Sequence, residues 1–318
     1  MALPIPTPLT EGRHTAEGIL SELPGFQSRD EVIALSGQTL RAMEVVGKVD
    51  RGIGGLAIPT VVGTGNGTMT GLKAGPDVEE GNYVFECTAA ATNGGTFKVT
   101  APSGLRLPDL TVGTPYVSSH LSCTIGDSST DYIVGDSFTV AVAAGTSATV
   151  VGTGNGTVIG VSLGPDAMPG LYTVLVTGAV TNGGVVEVIA PDGDVVVADS
   201  ITAGAGGTLV IAGRQINLTV TDGSTDFAKG DLARIVVFNK LTKKVVAWNP
   251  RPTTFDGRQT PIGLTHRAID ASTADAPGVI YTRGVEFTRD YAIFLSTVSA
   301  AEQEAAFAQL AARGVTAR

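Results

Sequence analysis

Two glycine-containing motifs have the spacing of loops that perform chemistry. The GTGNG segment at 63–67 has the glycine density of a loop that binds phosphate through backbone N–H groups. Neither a Gly-Lys-Ser/Thr sequence nor a helix pattern follows it, so we interpret it as a turn. The GVSLG segment at 160–164 matches the turn that exposes a hydrolase serine, but Pro165 follows where a hydrolase needs a helix. The sequence therefore does not predict an enzyme.

The acidic and histidine residues do not indicate a metal site more strongly than the glycine motifs indicate a catalytic one. Asp127 with Asp131, repeated as Asp222 with Asp226, leaves calcium loops as an alternative, although runs of Asp, Ser and Gly are typical of ordinary turns. The histidines are His14, His120 and His266. They have no partners at metal-ligand spacing, and we interpret them as ordinary surface or core residues. No cofactor is expected, and melting with and without a chelator would test the calcium alternative.

These motifs belong to a segment that the chain contains twice. VVGTGNGT at 61–68 returns at 150–157, an offset of 89 residues. After six extra residues in the second copy, the alignment resumes at an offset of 95, where SSTD at 128–131 matches GSTD at 223–226. This period is the size of a small domain rather than of a solenoid unit. The sequence therefore predicts two successive domains, 61–145 and 149–239, between two flanks.

Each repeat has the pattern of short strands joined by tight turns. In the first repeat, β-prone runs at 83–87 and 96–100 flank Thr92-Asn93-Gly94-Gly95, and the second repeat has the same arrangement at 172–189. Asn-Gly between two such runs predicts a hairpin. Abundant glycine and scarce aromatic residues also favour strands over helical cores. We predict a mainly β protein whose repeats are tandem β-sandwiches of roughly immunoglobulin type.

The two cysteines, Cys87 and Cys123, are too few for a disulfide scaffold. They align with Val176 and Leu218 of the second repeat, which are apolar. We therefore expect both to be buried thiols in the first repeat's core. A disulfide between them is the alternative, and mass measurement with and without reductant distinguishes the two.

Composition excludes several classes of partner. The 318-residue chain has a formal net charge of -9, which argues against nucleic acid because phosphate binding needs a basic surface. It contains no apolar stretch of the roughly 18 residues that would span a bilayer. The first residues lack the basic and apolar regions of a signal peptide, so we expect use without Sec export.

The flanks differ from the middle. Of 14 arginines, 11 lie in residues 1–60 or 241–318. Pro4, Pro6 and Pro8 disfavour helix and predict an extended arm that lies along a partner's sheet edge, with a disordered tail as the equal alternative. Near the other end, Ser299 with Glu302 predicts a capping box and one short helix. Its expected apolar face and its stop are Ala305, Phe307, Leu310, Ala311 and then Gly314.

The motifs of the two flanks, taken in order, resemble those of lambda-type phage head decoration proteins, which are capsid cement proteins. The N-terminal motifs are TEGRH at 10–14, GILSE at 18–22, SRD at 28–30, LSGQ at 35–38 and VGKV at 46–49. The C-terminal motifs are PIGL at 261–264, AIDA at 268–271, APGV at 276–279 and RGVEF at 283–287. The resemblance implies that 1–60 and 240–318 form one small β-rich domain, interrupted by the two repeats.

The resemblance also implies a function. Family members bind the outside of the expanded head, commonly as homotrimers, and stabilise the shell. The expected partner is the major capsid protein, and the expected location is the outer surface of the virion after synthesis in the host cytoplasm. We expect the N-terminal arm to contact the capsid through Pro4, Ile5, Pro6, Pro8, Leu9 and Arg13. The alternative is an adhesion module that binds glycans or a cell surface through the repeats.

Overall fold

Strands make up most of the chain, as the computed structural model of residues 16–57, 59–201 and 207–318 shows. The predicted mainly β class is confirmed. The chain divides into two compact units. The first unit takes the chain up to Val49, Lys243–Pro252 and Gly257–Arg318, and the second takes Asp50–Thr242 and Thr253–Asp256. Both flanks therefore contribute to one unit, and both repeats lie in the other.

The elements are numbered in chain order. The first twelve strands are β1 Ile19–Glu22, β2 Arg29–Ala34, β3 Gln38–Leu40, β4 Val45–Leu56, β5 Thr60–Val62, β6 Met69–Ala74, β7 Gly81–Ala91, β8 Gly94–Thr100, β9 Arg106–Thr111, β10 Tyr116–Val117, β11 Leu121–Ile125 and β12 Ser137–Ala144. The others are β13 Val150–Val151, β14 Thr157–Leu163, β15 Gly170–Val180, β16 Gly183–Ile189, β17 Val195–Ile201, β18 Thr208–Ala212, β19 Ile216–Thr221, β20 Leu232–Ala247, β21 Pro261–Thr265, β22 Ile269–Ala271, β23 Ala276–Tyr281, β24 Val285–Phe287 and β25 Val315–Ala317. The helices are α1 Gly25–Ser28 and α2 Ala300–Ala311, with one 3-10 turn at Arg289–Tyr291.

The first unit is built from strands of both flanks. One sheet has the antiparallel order β2-β23-β21-β4, in which β4 takes part through its first residues. At its other edge, β2 pairs in parallel with the end of β20. A second sheet has the order β1-β24-β25, and β3 pairs with β22. Strands β2 and β3 lie on either side of Ser36 and Gly37, and Gly37 has the positive φ of 87° that the turn between them requires. They do not pair with each other, because each finds its partner in the C-terminal flank.

Helix α2 confirms the capping box. The Ser299 side chain accepts the backbone N–H of Glu302, whose carboxylate in turn accepts the backbone N–H of Ser299. Phe307 and Leu310 are buried against the core of the first unit, as expected. The expectation for Ala305 and Ala311 was wrong: both are exposed, and Ala306 is buried instead, since positions 306, 307 and 310 share one helix face.

Each repeat is a sandwich of two sheets around one apolar core. In the first repeat, β12-β7-β8-β9 faces β6-β11-β10, and Phe85, Phe97 and Ile125 are fully buried between them. In the second, β20-β15-β16-β17 faces β14-β19-β18 across Tyr172 and Ile216. Alternate residues of β7 and β15 point into these cores, which is the period-2 pattern of half-buried strands.

The strand order corrects the immunoglobulin-type prediction. In that fold strands A, B, E and D form one sheet and C, F and G the other. Here the consecutive strands β7, β8 and β9 lie side by side in one sheet, and β15, β16 and β17 do the same. The Asn-Gly turns place β7 beside β8 and β15 beside β16, because a two-residue hairpin keeps successive strands in the same sheet.

The two predicted hairpins form at their Asn-Gly turns. Ala91 faces Gly94 across the first turn, and Val180 faces Gly183 across the second. The positive φ falls on Asn93 and Asn182, at 53° and 52°. Asparagine tolerates this left-handed conformation better than most residues, which explains its place beside the glycine.

The two sandwiches form a single unit, and one strand contributes residues to both of their cores. Val236 and Phe238 of β20 belong to the core of the first repeat, whereas Ile235 and Val237 belong to the core of the second. Ile53 of β4 packs against the second core, although it precedes the first repeat in the chain. The repeats therefore stabilise each other through strands that enter and leave the middle segment.

Both cysteines are buried free thiols, so the structure does not contain the disulfide considered as the alternative. Cys87 lies on β7 and Cys123 on β11, in opposite sheets of the first sandwich. Burial raises the pKa of Cys123 to about 12 and also raises that of Cys87. The aligned residues Val176 and Leu218 are buried as well. These positions serve as apolar core sites in both repeats.

A buried tyrosine provides a test that uses one repeat as a control for the other. Tyr83 Oη lies 3.0 Å from His120 Nδ1, and at the aligned position Tyr172 Oη donates to Gln215 Oε1 at 2.8 Å. Replacement of His120 by Gln should therefore change the free energy of unfolding by less than about 1 kcal/mol. His120→Ala should cost about 1–3 kcal/mol because it leaves the tyrosine hydroxyl without this partner. Equal losses for the two variants in urea unfolding would contradict the equivalence.

Candidate capsid-binding surface and the repeat motifs

The predicted arm residues lie outside the part of the chain that the structure describes. They are Pro4, Ile5, Pro6, Pro8, Leu9 and Arg13. Shortly after them, the chain exposes three large apolar side chains: Leu20 at 58%, Leu23 at 51% and Phe26 at 81%. Phe26 belongs to the single turn of α1, which leads directly into β2.

Two adjoining grooves run along β2 and β23 beside Phe26. Their volumes are about 530 and 460 Å³, and Glu31, Arg267 and Val279 line both. The other residues of the larger groove are Gly25, Phe26, Arg29, Asp30 and His266. Those of the smaller groove are Val32, Ile33, Lys243, Pro277 and Gly278. We call these residues together the β2 groove.

A polar network fixes the wall of the β2 groove. Arg29 binds Glu22 with two hydrogen bonds, of 2.6 and 2.7 Å, and Ser28 Oγ donates to the same carboxylate at 2.5 Å. The hydrogen bond from Arg29 holds the pKa of Glu22 below its usual range. Such bidentate pairs are geometrically specific, so the guanidinium is held in one orientation.

His266 and Tyr281 extend this network behind Arg29. His266 Nδ1 lies 2.6 Å from Tyr281 Oη, and its Nε2 lies 3.4 Å from Arg29 Nη1. The Arg29 guanidinium also lies 5.4 Å from the centre of the Tyr281 ring, within the range of a cation–π contact. Burial and the charge of Arg29 lower the pKa of His266, so the imidazole is neutral at pH 7.

This network was not predicted from the sequence, because His266 has no partners at metal-ligand spacing and was interpreted as an ordinary surface or core residue. Arg29 and His266 are 237 positions apart, and only the folding of both flanks into one unit brings them together. Inside the groove, Glu31, Arg267 and Lys243 have no ion pair with any described residue. Among the described residues, the β2 groove therefore combines a wall fixed by hydrogen bonds, charges of both signs without an ion pair, and an exposed ring.

The GTGNG loop binds a carboxylate of its own chain. Asp136, only 3% exposed, accepts hydrogen bonds from the backbone N–H groups of Thr64, Gly65 and Ile133 at 3.0, 2.8 and 3.1 Å. In the second repeat Asp231 accepts the three aligned bonds, each 2.8 Å long. GTGNG is thus an irregular loop between β5 and β6, and its backbone N–H groups satisfy a buried aspartate.

The other repeated motifs join the same cluster. Asn66 Oδ1 accepts the N–H of Thr130 at 2.9 Å and its Nδ2 donates to Ser129 at 2.8 Å. Asp131 Oδ1 accepts the N–H of Asn93 at 2.9 Å, which ties the hairpin tip to the SSTD segment. The second repeat has the aligned bonds. The shared motifs are therefore one hydrogen-bonded structure at one end of each sandwich.

The aspartate pairs proposed as calcium loops do not act together in this cluster. Asp131 is engaged by the hairpin tip, whereas Asp127 Oδ1 and both oxygens of Asp222 are buried without a hydrogen-bond partner in the described ranges. Within those ranges no three His, Cys, Asp or Glu residues form a metal-ligand group. Ser162 of the GVSLG match lies in β14, with its Oγ accepting a bond from Asn217 at 3.2 Å, and not on a strand-to-helix turn.

Acid should destabilise the second unit. Burial raises the pKa of Asp136 and Asp231, but their backbone hydrogen bonds outweigh it and hold each pKa below its usual value. Because the folded pKa is lower than the unfolded value of about 3.9, this stabilisation is complete above that pH and is lost as the pH falls through the folded pKa. Thermal melting between neutral and acidic pH should show this loss as a decrease in melting temperature. The decrease with pH should be shallower for Asp136→Asn. An equally steep decrease in Asp136→Asn and the unsubstituted chain would contradict this role of Asp136.

These features define a β-rich protein in which the two flanks of the chain build one unit and the segment between them builds two sandwiches. The family model described as Bacteriophage lambda head decoration protein D matches residues 8–315, so the chain belongs to this family of phage head decoration proteins. The match extends through the repeats as well as the flanks. No curated protein and no solved structure matches the chain. In the described ranges no helix is long and apolar enough to cross a membrane.

Proposed function

We propose that this protein binds the exterior of the expanded phage head and stabilises the shell against the pressure of packaged DNA. The family match over 8–315 carries the proposal, because the family consists of structural head proteins. The proposed binding domain is made of 1–60 and 240–318. In this arrangement the two repeats, 61–145 and 149–239, project outward from the surface of the particle. The partner is the major capsid protein, and the working assembly is a homotrimer.

Two features of the first unit support the capsid contact. The alternating prolines predict an extended arm, which gains main-chain hydrogen bonds when it joins a sheet edge of the shell. The β2 groove begins at Phe26, shortly after the arm, and offers an exposed ring with unpaired charges. An aromatic side chain that becomes buried at the centre of an interface, inside a polar rim, is a common source of binding energy.

The contact is tested with heads that lack the protein. We expect loss of binding when residues 1–10 are deleted, and at least about a ten-fold weaker affinity for Phe26→Ala, since an aromatic anchor contributes about 2 kcal/mol or more. Val117→Ala, at an exposed residue of the second unit, is the matched control. Binding by the truncated chain as tight as by the full chain would remove the arm from the proposal.

The adhesion alternative gains no support from the repeats. Sugar sites usually present exposed aromatic rings. All aromatic rings of residues 61–201 and 207–239 are buried, among them Tyr83, Tyr116 and Phe227. A glycan array with the full chain remains the test of this alternative, and specific binding there would reinstate it.

A further inference from the structure

The chain contains four Asn-Gly sequences, two in each repeat. They are Asn66-Gly67, Asn93-Gly94, Asn155-Gly156 and Asn182-Gly183. An asparagine before glycine is prone to lose its amide, because a following residue without a Cβ lets its backbone nitrogen approach the side-chain carbonyl carbon. The reaction requires that the side chain rotate toward this nitrogen. The contacts of each carboxamide therefore decide its rate.

Two of the four carboxamides are held at both ends. Asn66 donates to Ser129 at 2.8 Å and accepts from Thr130 at 2.9 Å. Asn155 donates to Ser224 at 2.9 Å and accepts from Thr225 at 2.8 Å. Each of these side chains can rotate only after its own two hydrogen bonds open. This holds although both asparagines lie near the surface.

The other two carboxamides make no hydrogen bond with the described residues. Asn93 and Asn182 occupy the hairpin tips, where only their backbone N–H groups are engaged, by Asp131 and Asp226. Their surroundings differ. Asn93 is exposed together with Thr92, whereas Asn182 is followed by the buried Gly183. The two tips share sequence and φ, so exposure is their main difference.

We propose that Asn93 is a deamidation site, that Asn182 reacts more slowly, and that Asn66 and Asn155 are protected. The Gly94 nitrogen attacks Asn93 Cγ: the N–Cγ bond forms, the Cγ–Nδ2 bond breaks and ammonia leaves. The resulting succinimide ring is opened by water at either carbonyl, which gives aspartate or isoaspartate. One water is consumed and one ammonia released, so no oxidant or reductant is needed.

The modification weakens the cluster at the end of the first sandwich. The new carboxylate lies on the residue whose N–H binds Asp131 Oδ1, and two nearby negative charges repel each other. Isoaspartate also adds a methylene to the backbone of a two-residue turn, whose geometry sets the β7–β8 register. The hairpin tip therefore loosens with the age of the protein, while the glycine loop stays intact.

The test follows all four sites at once in the intact chain. Full-length protein is incubated in mildly alkaline buffer, digested and mapped by mass, with urea-unfolded chain as the reference in which all four sites react. We expect conversion at Asn93 to be about ten-fold or more faster than at Asn66, since two hydrogen bonds must first open at Asn66. Gly94→Ala should slow Asn93 alone, and Ser129→Ala should accelerate Asn66 alone.

Two results would overturn the proposal. One is equal conversion of Asn66 and Asn93 in the folded chain. The other is an unchanged Asn93 over a period in which the unfolded chain reacts fully. Circular dichroism of Gly94→Ala and Ser129→Ala before incubation separates effects on rate from effects on folding.

Discussion

Replacement of Asp136 by Ala is expected to destabilise the second unit by about 3–5 kcal/mol, because each buried donor left without an acceptor costs about 1–3 kcal/mol. The donors are the backbone N–H groups of Thr64, Gly65 and Ile133. For a unit of this size, the loss should lower the melting temperature by roughly 6–20 °C. Calorimetry of the full chain with and without the substitution measures this decrease in melting temperature.

The control for Asp136→Ala is Asp109→Ala in the same repeat. Asp109 pairs with Arg106 on the surface, and exposed pairs of this kind contribute about 0–1 kcal/mol. Asp231→Ala should reproduce the large loss, because its bonds are the aligned ones. A loss at Asp136 no larger than that at Asp109 would show that the cluster does not hold the repeat together.

A second large effect is expected for Gly63→Ala. A Cβ at Gly63 would lie 2.1 Å from Asp136 Oδ1, and its φ of 133° disfavours any side chain. Steric overlap and backbone strain together should cost at least about 3 kcal/mol. The variant should therefore melt about as early as Asp136→Ala, and the double variant should lose less than the sum because both changes disrupt the same contact.

Gly104→Ala separates the steric overlap from the backbone strain. Gly104 also has a positive φ, of 85°, but a Cβ added there would have no atom within 4 Å. The substitution should cost only the backbone strain of about 1–2 kcal/mol. If Gly63→Ala and Gly104→Ala lose equal stability, the close approach of the glycine loop to Asp136 is not what selects glycine there.

Local patterns predicted local structure. Asn93-Gly94 indicated the β7–β8 hairpin, and Ser299 with Glu302 indicated the start of α2. These signals succeed because the bonds that cause them join residues a few positions apart. The duplicated GTGNG sequence also located a loop, but its partner Asp136 lies 71 positions beyond Gly65 and could not be assigned from spacing alone.

Long-range arrangement was harder to derive. The sandwich followed from strand pattern, but the strand order did not, because period-2 alternation defines which face is buried and not which neighbour a strand takes. The contacts between Glu22, Arg29 and His266 join the two ends of the chain. Only the resemblance of both flanks to one family predicted that these ends fold together.

Binding to the expanded head is tested most directly by co-sedimentation of the purified full chain with matched capsids that lack it. Expanded and unexpanded shells are compared at equal concentration. We expect saturable binding to expanded shells and little to unexpanded ones. Equal binding to both, or binding to neither, would contradict the proposed function.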